Sequence, residues 1–229
     1  MRTSSKQLFD SNPPRKALIF VSPGRCGTTR LAEILRDTLP QEEFAVTHQM
    51  LFSRLANIVG NLMFHFGQSE KIKEKLYSFI VSQYVNDKHF ITTDPLTAMI
   101  IPKKWVESQN VCIIQITRNP DEFAESFYRF SRKKVKSFLA HNFIPFWQPS
   151  VLPLENIFHF SIQKKYKFVN QKKKGYFDSF YSVNQNYLTI DITELFHSEF
   201  LKNLIQNFFN FSVDIDSKLM ICKSNTSTS

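Results

Sequence analysis

Glycine and cysteine are both scarce in this chain, and each scarcity argues against certain classes of protein or site. Only five of the 229 residues are glycine while 24 are phenylalanine, which is typical of a packed globular core and not of a disordered basic tail. The three cysteines, Cys26, Cys112 and Cys222, are widely spaced and form no C-x-x-C pair. We therefore expect no disulfide framework and no zinc site, and a reducing, cytoplasmic location.

Long uninterrupted apolar runs are also lacking. Residues 1–15 are polar and contain no stretch that would serve as a signal peptide. The most apolar long window, residues 49–66, is interrupted by Arg54 and His65, and its apolar residues recur at helical spacing. We expect a core helix in this window and no transmembrane segment.

Negative charge is in the minority, since the formal net charge is +9 and the isoelectric point is about 9.4. A positive surface concentrates anionic ligands. Zinc-finger spacing, a basic zipper and an RNP-like strand are all missing, so nucleic acid is not the expected partner. The length suits one domain over residues 1–229, with flexible tails at residues 1–15 and 224–229. Nothing in the sequence indicates the oligomeric state.

Short apolar runs alternate with helical patterns along the chain. Strands are predicted at residues 16–21, 44–47, 89–93, 111–117 and 187–191. Helices are predicted at residues 28–39, 49–66, 69–85, 155–173 and 193–209, the last capped by Thr193, and from Asn119 onward. Residues 135–153 are predicted to be an irregular loop region that could shape an acceptor pocket. The alternation predicts an α/β fold with a parallel sheet covered by helices on both faces.

The segment at residues 22–30 (S-P-G-R-C-G-T-T-R) lies between the first predicted strand and its helix. Backbone N–H groups at a helix start can hold a phosphate, and glycine lets such a ligand come close. Thr28 and Thr29 add hydroxyl donors, and Arg25 adds a permanent positive charge. The alternative is an ordinary strand-to-helix turn, in which Gly27 relieves backbone strain and Arg25 is solvated.

Two other chemistries are disfavoured at this loop. An NTPase P-loop needs G-x-x-x-x-G-K-[ST], whereas the spacing here is G-x-x-G without a lysine before the threonines. Cys26 stands at a helix start, where the pKa of a thiol is lowered. A phosphatase of this kind needs an arginine six positions later, and that residue is Ala32. A bystander thiol is therefore favoured over a nucleophile.

A second candidate anion site follows the strand at residues 111–117. Arg118 stands at the strand end, where ligands of open parallel sheets bind. Ser126 comes two helical turns after the predicted cap Asn119 and on the same face. A guanidinium and a hydroxyl converging in this way suit a phosphate monoester. The alternative is that Arg118 pairs with Asp121 or Glu122, and that Ser126 only packs.

Together the two segments resemble the nucleotide motifs of sulfotransferases that use 3′-phosphoadenosine 5′-phosphosulfate (PAPS). Residues 22–31 resemble the 5′-phosphosulfate loop in its G-R-x-G-T-T form. Residues 114–130 (I-Q-I-T-R-N-P-D-E-F-A-E-S-F-Y-R-F) resemble the 3′-phosphate motif, in which R-N-P is followed by a serine. The late strand and helix from residue 187 are also similar. The family's R-K-G-x-x-G loop is not reproduced, and K-K-K-G at residues 172–175 is its nearest counterpart.

The resemblance implies a three-layer P-loop-like sandwich, with a central parallel sheet flanked by helices. It implies transfer of a sulfuryl group from PAPS to a hydroxyl or amine of a small-molecule or saccharide acceptor. Adenosine 3′,5′-bisphosphate is then the product, and no metal ion is needed. Arg25 would bind the 5′-phosphate and neutralise charge on the departing oxygen. The residues expected to bind the nucleotide are Arg25, Cys26, Gly27, Thr28, Thr29, Arg118 and Ser126.

The transfer also needs a base for the acceptor. His48 follows the second predicted strand, which places it at the sheet edge near the loop, and histidine can take a proton from a hydroxyl near neutral pH. Members of the family often use a histidine or a glutamate at this point. Asp94, at the end of the third predicted strand, is the second candidate, with helix capping as its alternative role.

Two other functions compete with this interpretation. A nucleotide or nucleoside kinase could use the same sheet, but the loop lysine and a convincing Mg²⁺-binding carboxylate are missing. A non-enzymatic adaptor could bind RNA or an acidic polymer through the basic runs at residues 132–136 and 164–174. Such runs are more often solvated helix faces.

Overall fold

The strands build one parallel sheet in the computed structural model, which describes residues 15–85, 87–143 and 161–215. Within these residues the strand order is β2-β3-β1-β4-β5. The strands are β1 (Ala17–Val21), β2 (Phe44–Thr47), β3 (His89–Thr92), β4 (Val111–Thr117) and β5 (Tyr187–Asp191). Each predicted strand is present, with ends within one residue of the prediction. The parallel pairing of all neighbours confirms the predicted α/β class.

Helices connect the strands and cover both faces of the sheet. They are α1 (Thr28–Thr38), α2 (Ser53–Phe66), α3 (Glu70–Ser82), α4 (Lys103–Val106), α5 (Pro120–Arg132), α6 (Val135–Phe143), α7 (Ile162–Tyr181), α8 (Ile192–Leu195) and α9 (Ser198–Phe209). A short 3-10 turn, Ala98–Ile100, precedes α4. None of the helices in the described ranges is long and apolar enough to span a bilayer.

Successive residues of β1 point to opposite sides of the sheet and into two separate cores. Leu18 and Phe20 join the core formed with α1, α8 and α9, whereas Ile19 and Val21 join the core formed with α2, α3, α4 and α7. All four side chains are at most 2% exposed. A strand buried on both faces is typical of a parallel sheet between two helical layers. The three-layer sandwich is therefore confirmed.

The topology gathers the chemically important loops at one edge. All strands are parallel, so their carboxyl ends lie together. From the adjacent central strands β1 and β4 the chain continues to opposite sides of the sheet. Ligands of open α/β sheets bind at such a switch point. The glycine-containing loop follows β1, and Arg118 follows β4.

Several helix boundaries differ from the predictions for local reasons. The helix predicted from residue 49 begins at Ser53 instead, because Gln49 and Phe52 adopt left-handed backbone with φ of 56° and 64°. The helix predicted at residues 155–173 is found as α7, which begins at Ile162 and runs on to Tyr181. Residues 155–160 lie outside the described ranges.

The prediction of irregular structure over residues 135–153 is wrong for its first part. Val135–Phe143 is a helix that starts three residues after α5 ends. This segment contains no proline; the first of the prolines that suggested a loop is Pro145. Residues 144–153 lie outside the described ranges, so the proposed pocket-shaping role there stays a prediction.

The prediction of one helix over residues 193–209 is also wrong. The helix is interrupted after Leu195 and restarts at Ser198. Asp191, and not Thr193, is the cap: its Oδ1 accepts hydrogen bonds from the Thr193 backbone N–H at 2.9 Å and hydroxyl at 2.8 Å. The interruption lets Phe196 pack against the glycine-containing loop.

The core helix expected at residues 49–66 is found as α2, but it leaves several large apolar side chains exposed. The buried side of α2 carries small or polar residues such as Ala56, Asn57 and Gly60. A Cβ built on Gly60 would lie 2.5 Å from the Cβ of Met99, so this side packs too closely on the 3-10 turn for large side chains. Leu55, Leu62 and Phe66 point outward, whereas Met63 is buried and Phe64 packs against the core.

Candidate active site

The loop between β1 and α1 has the geometry of an anion cradle. Gly24 and Gly27 adopt positive φ angles of 100° and 72°, and Arg25 between them adopts 55°. Gly27 is the N-cap of α1 and supplies no capping side chain. The N–H groups of the first helical turn therefore remain available at the positive end of the helix, beside the Thr28 and Thr29 hydroxyls. This is the arrangement expected for phosphate binding.

A side chain at Gly27 would strain the backbone and would require the Phe196 ring or the loop to move. The φ of Gly27 disfavours any side chain, and an added Cβ would lie 2.7 Å from Cζ of Phe196. We expect Gly27→Ala to lower the melting temperature and to weaken binding of adenosine 3′,5′-bisphosphate by at least about tenfold. Calorimetric titration measures the affinity. Gly175→Ala is the matched control, because nothing lies within 4 Å of its added Cβ; equal affinities in the two variants would contradict the prediction.

Arg25 and Arg118 meet at this loop. Arg118 Nη1 donates a hydrogen bond of 3.0 Å to the carbonyl oxygen of Arg25, which joins the end of β4 to the loop after β1. Burial, and then the charge of Arg118, lower the pKa of the Arg25 guanidinium. Its buried Nε makes no hydrogen bond in the part of the chain that the structure describes. Two cations held side by side favour an anion between them.

The Arg25 guanidinium is held in place by an aromatic ring. Its Cζ lies 4.6 Å from the centroid of the Phe130 ring, within the range of a cation–π contact. Phe130 belongs to α5, the helix that follows Arg118. The contact therefore connects the two candidate anion sites a second time.

Ser126 occupies the helix face between these contacts. Glu122, Ser126 and Phe130 are spaced by four residues and form one stripe along α5. Glu122 at one end pairs with Arg118 at 3.4 Å, and Phe130 at the other end packs on Arg25. Half-buried Ser126 therefore lies on the stripe of α5 between the contact with Arg118 and the contact with Arg25. The Arg118–Glu122 pair considered above does exist, but Glu122 is 64% exposed and such a pair contributes little.

Asn119 begins α5 as predicted. Its Oδ1 accepts hydrogen bonds from the backbone N–H groups of Asp121 at 2.9 Å and of Glu122 at 3.4 Å. Pro120 takes the first helical position, where its missing N–H costs nothing. The cap fixes where the helix starts relative to β4, and thereby the position of Arg118 between them.

His48 lies beside the loop in a defined tautomer. Its Nδ1 is 3.1 Å from the carbonyl oxygen of Thr93 and 3.0 Å from its hydroxyl oxygen. The carbonyl can only accept, and the Thr93 hydroxyl donates to the Thr28 carbonyl at 3.0 Å, so Nδ1 carries the proton. In the neutral ring Nε2 is then the acceptor, and the Thr29 hydroxyl lies 3.0 Å away from it. An unprotonated Nε2 is what a general base requires.

Asp94 is almost completely buried below His48. Its Oδ2 accepts from the backbone N–H of Met50 and its Oδ1 from that of Leu96, both at 2.9 Å. Burial raises the pKa of the carboxyl group, and these backbone donors oppose the rise. Asp94 thus connects the segment after His48 to the turn after β3. This is close to its alternative capping role, and catalysis by Asp94 stays a prediction.

Cys26 points away from the cleft. Its side chain is fully buried in the core shared with α1, and its Sγ donates to the Gly24 carbonyl at 3.1 Å. Burial raises the pKa of the thiol to about 12, although the charge of Arg118 opposes the rise. The group is therefore a thiol at neutral pH. Only the backbone of Cys26 is placed to contribute to the anion site.

The sequence interpretation missed Thr93 and Phe130. Thr93 sets the tautomer of His48, and Phe130 positions Arg25. The only available signal was that Phe130 closes the segment resembling the 3′-phosphate motif. The K-K-K-G stretch at residues 172–175 lies inside α7 and is helical. It therefore does not form a nucleotide loop like the family's third element.

Comparisons with known proteins concern the chain as a whole. The profile of the sulfotransferase domain family matches residues 15–202, a range that includes β1 to β5 and both candidate anion sites. The fold is similar to that of mouse sulfotransferase SULT7A1 complexed with PAP, with 17% identity and a TM-score of 0.47, over 94% of this chain and 68% of that one. No curated protein matches the chain. Because the family match covers most of its length, the chain belongs to the sulfotransferase domain family and is an enzyme of the sulfotransferase class.

Proposed function

We propose that this sulfotransferase takes its sulfuryl group from PAPS and releases adenosine 3′,5′-bisphosphate. The observation that carries the proposal is the convergence of Arg25 and Arg118 on one cleft, joined by the hydrogen bond from Arg118 to the Arg25 carbonyl. An adenosine with phosphates at its 5′ and 3′ positions offers two anionic groups to two cationic sites. A single phosphate would leave one of the arginines unneutralised.

Each site has the groups that its phosphate needs. On the 5′ side these are the guanidinium of Arg25 and the first-turn donors of α1, including the amides of Thr28 and Thr29. On the 3′ side they are Arg118 and the Ser126 hydroxyl, which share the cleft-facing side of the β4–α5 junction. The packing of Phe130 on Arg25 keeps the first group oriented before the donor binds.

The transfer itself makes modest demands on the protein. The acceptor oxygen or nitrogen attacks sulfur and loses its proton to Nε2 of His48. The bond between sulfur and the bridging oxygen breaks, and the oxygen leaves with the electron pair as part of the 5′-phosphate. Arg25 and the loop amides stabilise that developing charge. In this scheme the acceptor replaces the Thr29 hydroxyl as the donor to Nε2, and Thr93 keeps the ring oriented.

The acceptor is proposed to be a hydroxyl or amine of a small molecule or saccharide. Membership of the sulfotransferase family and the missing loop lysine both argue against the kinase alternative. A basic adaptor would not need a histidine held by Thr93 through Nδ1 with its Nε2 beside the Thr29 hydroxyl of an anion cradle.

Ligand-induced stabilisation tests the donor assignment. We expect adenosine 3′,5′-bisphosphate to raise the melting temperature, because a ligand that binds only the folded state stabilises it in proportion to ln(1 + [L]/Kd). ATP should raise it less, since it lacks the 3′-phosphate. Equal stabilisation by both ligands would support the kinase alternative, and no effect of the bisphosphate would overturn the proposal. Transfer of labelled sulfate to saccharides, phenols, lipids and peptides would then identify the acceptor class.

A further inference from the structure

The outer surface of α2 and α3 is unusually apolar. These helices form a hairpin, and the ring centroids of Phe52 and Phe79 lie 5.5 Å apart across it. Twelve large apolar side chains are exposed in the described ranges, and seven of them lie here. We call these seven the hairpin apolar face: Leu51, Phe52, Leu55, Leu62, Phe66, Ile72 and Phe79. Apolar surface concentrated in one region marks an interaction site.

The sequence of α2 is inverted relative to that of an ordinary surface helix. Leu55, Leu62 and Phe66 follow one another at intervals of seven and four residues, which places them on one helical face. That face is turned to solvent, with Phe66 71% and Leu55 48% exposed. The buried side of the helix carries mostly small and polar residues, together with Met63. A helix that exposes a row of large apolar side chains offers them to a binding partner.

The charges around this face are almost all positive. Residues 44–69 contain no Asp or Glu. Arg54, Lys71 and Lys75 are exposed among the apolar side chains. Of the two carboxylates on α3, Glu70 is engaged by Lys73 at 3.1 Å and by the backbone N–H of Lys103 at 2.8 Å.

We propose that the hairpin apolar face docks on an anionic lipid bilayer and lies in the interface without crossing it. Apolar side chains between basic ones are the pattern by which helices bind such surfaces. A symmetric dimer through the same face would instead bring Arg54, Lys71 and Lys75 close to their own copies, and that repulsion opposes it. The face begins three residues after His48, so docking brings the candidate active site to the membrane surface.

Vesicle binding tests the inference without any assay of sulfuryl transfer. The full chain is floated with vesicles of phosphatidylcholine alone, or of phosphatidylcholine with phosphatidylserine. We expect binding to the mixed vesicles that falls as salt is added. Leu55→Gln with Phe66→Gln should weaken it by more than about tenfold. Lys71→Glu with Lys75→Glu should do the same.

Two matched controls decide the outcome. Val183→Gln with Leu188→Gln removes two other exposed apolar side chains, 58% and 43% exposed, and should leave vesicle binding unchanged. Melting temperatures check that every variant is folded. The inference is overturned if the wild-type chain does not bind mixed vesicles, or if the hairpin and control variants bind equally. It is also overturned if the wild-type chain dimerises without lipid and the Leu55→Gln, Phe66→Gln variant is monomeric, since a second copy then covers the face.

Discussion

His48→Gln is expected to lower kcat for sulfuryl transfer by about 10²- to 10⁴-fold, the usual contribution of a general base. Glutamine can preserve a hydrogen bond near Thr29, but its amide does not accept a proton. The nucleotide cradle does not depend on the ring, so the Kd of adenosine 3′,5′-bisphosphate should change by less than about threefold. Single-turnover kinetics and calorimetric titration measure the two quantities separately.

The matched control for this variant is His197→Gln. His197 is exposed at the start of α9, and its side chain makes no capping hydrogen bond. Its replacement should leave kcat unchanged. If His48→Gln also keeps a near-normal kcat, His48 is not the base, and Asp94→Asn becomes the decisive variant. A large loss of nucleotide affinity in His48→Gln would instead indicate a structural role for the ring.

Arg118→Ala is expected to remove the preference for a 3′-phosphate. Hydrogen bonds to a charged group contribute about 1.5–3 kcal/mol each, or about 10- to 100-fold in affinity. The wild-type chain should therefore bind adenosine 3′,5′-bisphosphate more tightly than adenosine 5′-monophosphate by about that factor. In the variant the two affinities should become similar. Titration of both ligands into both proteins forms a closed cycle that isolates the 3′-phosphate contribution.

Arg129→Ala provides the control on the same helix. Arg129 pairs with Glu125 at 3.0 Å and is 69% exposed. Its removal takes away one exposed positive charge from α5. If Arg129→Ala and Arg118→Ala weaken binding equally, the effect is only a loss of general positive charge. The assignment of a specific 3′-phosphate site would then fail.

The elements that the sequence predicted best are those whose structure depends on residues close together in the sequence. β4 was predicted with its observed ends because seven mostly apolar residues run into a helix start. The Asn119 cap needs only contacts to N–H groups two and three residues away. The glycine-containing loop was likewise visible as a strand, a short turn and a helix. Interactions between residues that are close in sequence require certain residue types in a certain order, and that order can be recognised in the sequence.

His48, the candidate base, shows what local sequence patterns do not predict. Its position at the sheet edge followed from its place after β2, and the structure puts it there. Its tautomer depends on Thr93, 45 residues away, whose own hydroxyl is directed by the Thr28 carbonyl. The Phe130 ring over Arg25 is a similar case, since it closes a separation of more than 100 residues. Side chains that come into contact only when distant segments fold together have no characteristic spacing in the sequence, so sequence patterns do not predict their contacts.

The sequence by itself determined the parallel α/β architecture, the two candidate anion-binding segments and the family that they resemble, because strand burial, helix caps and phosphate loops are short-range patterns. Only the tertiary structure decided that Arg118 reaches the Arg25 carbonyl, that Cys26 faces the core and that α2 exposes Leu55, Leu62 and Phe66. These features depend on which elements pack together. Hydrophobic periodicity gives the face of a helix that carries apolar residues, but the close approach of Gly60 to Met99 determines which face is buried.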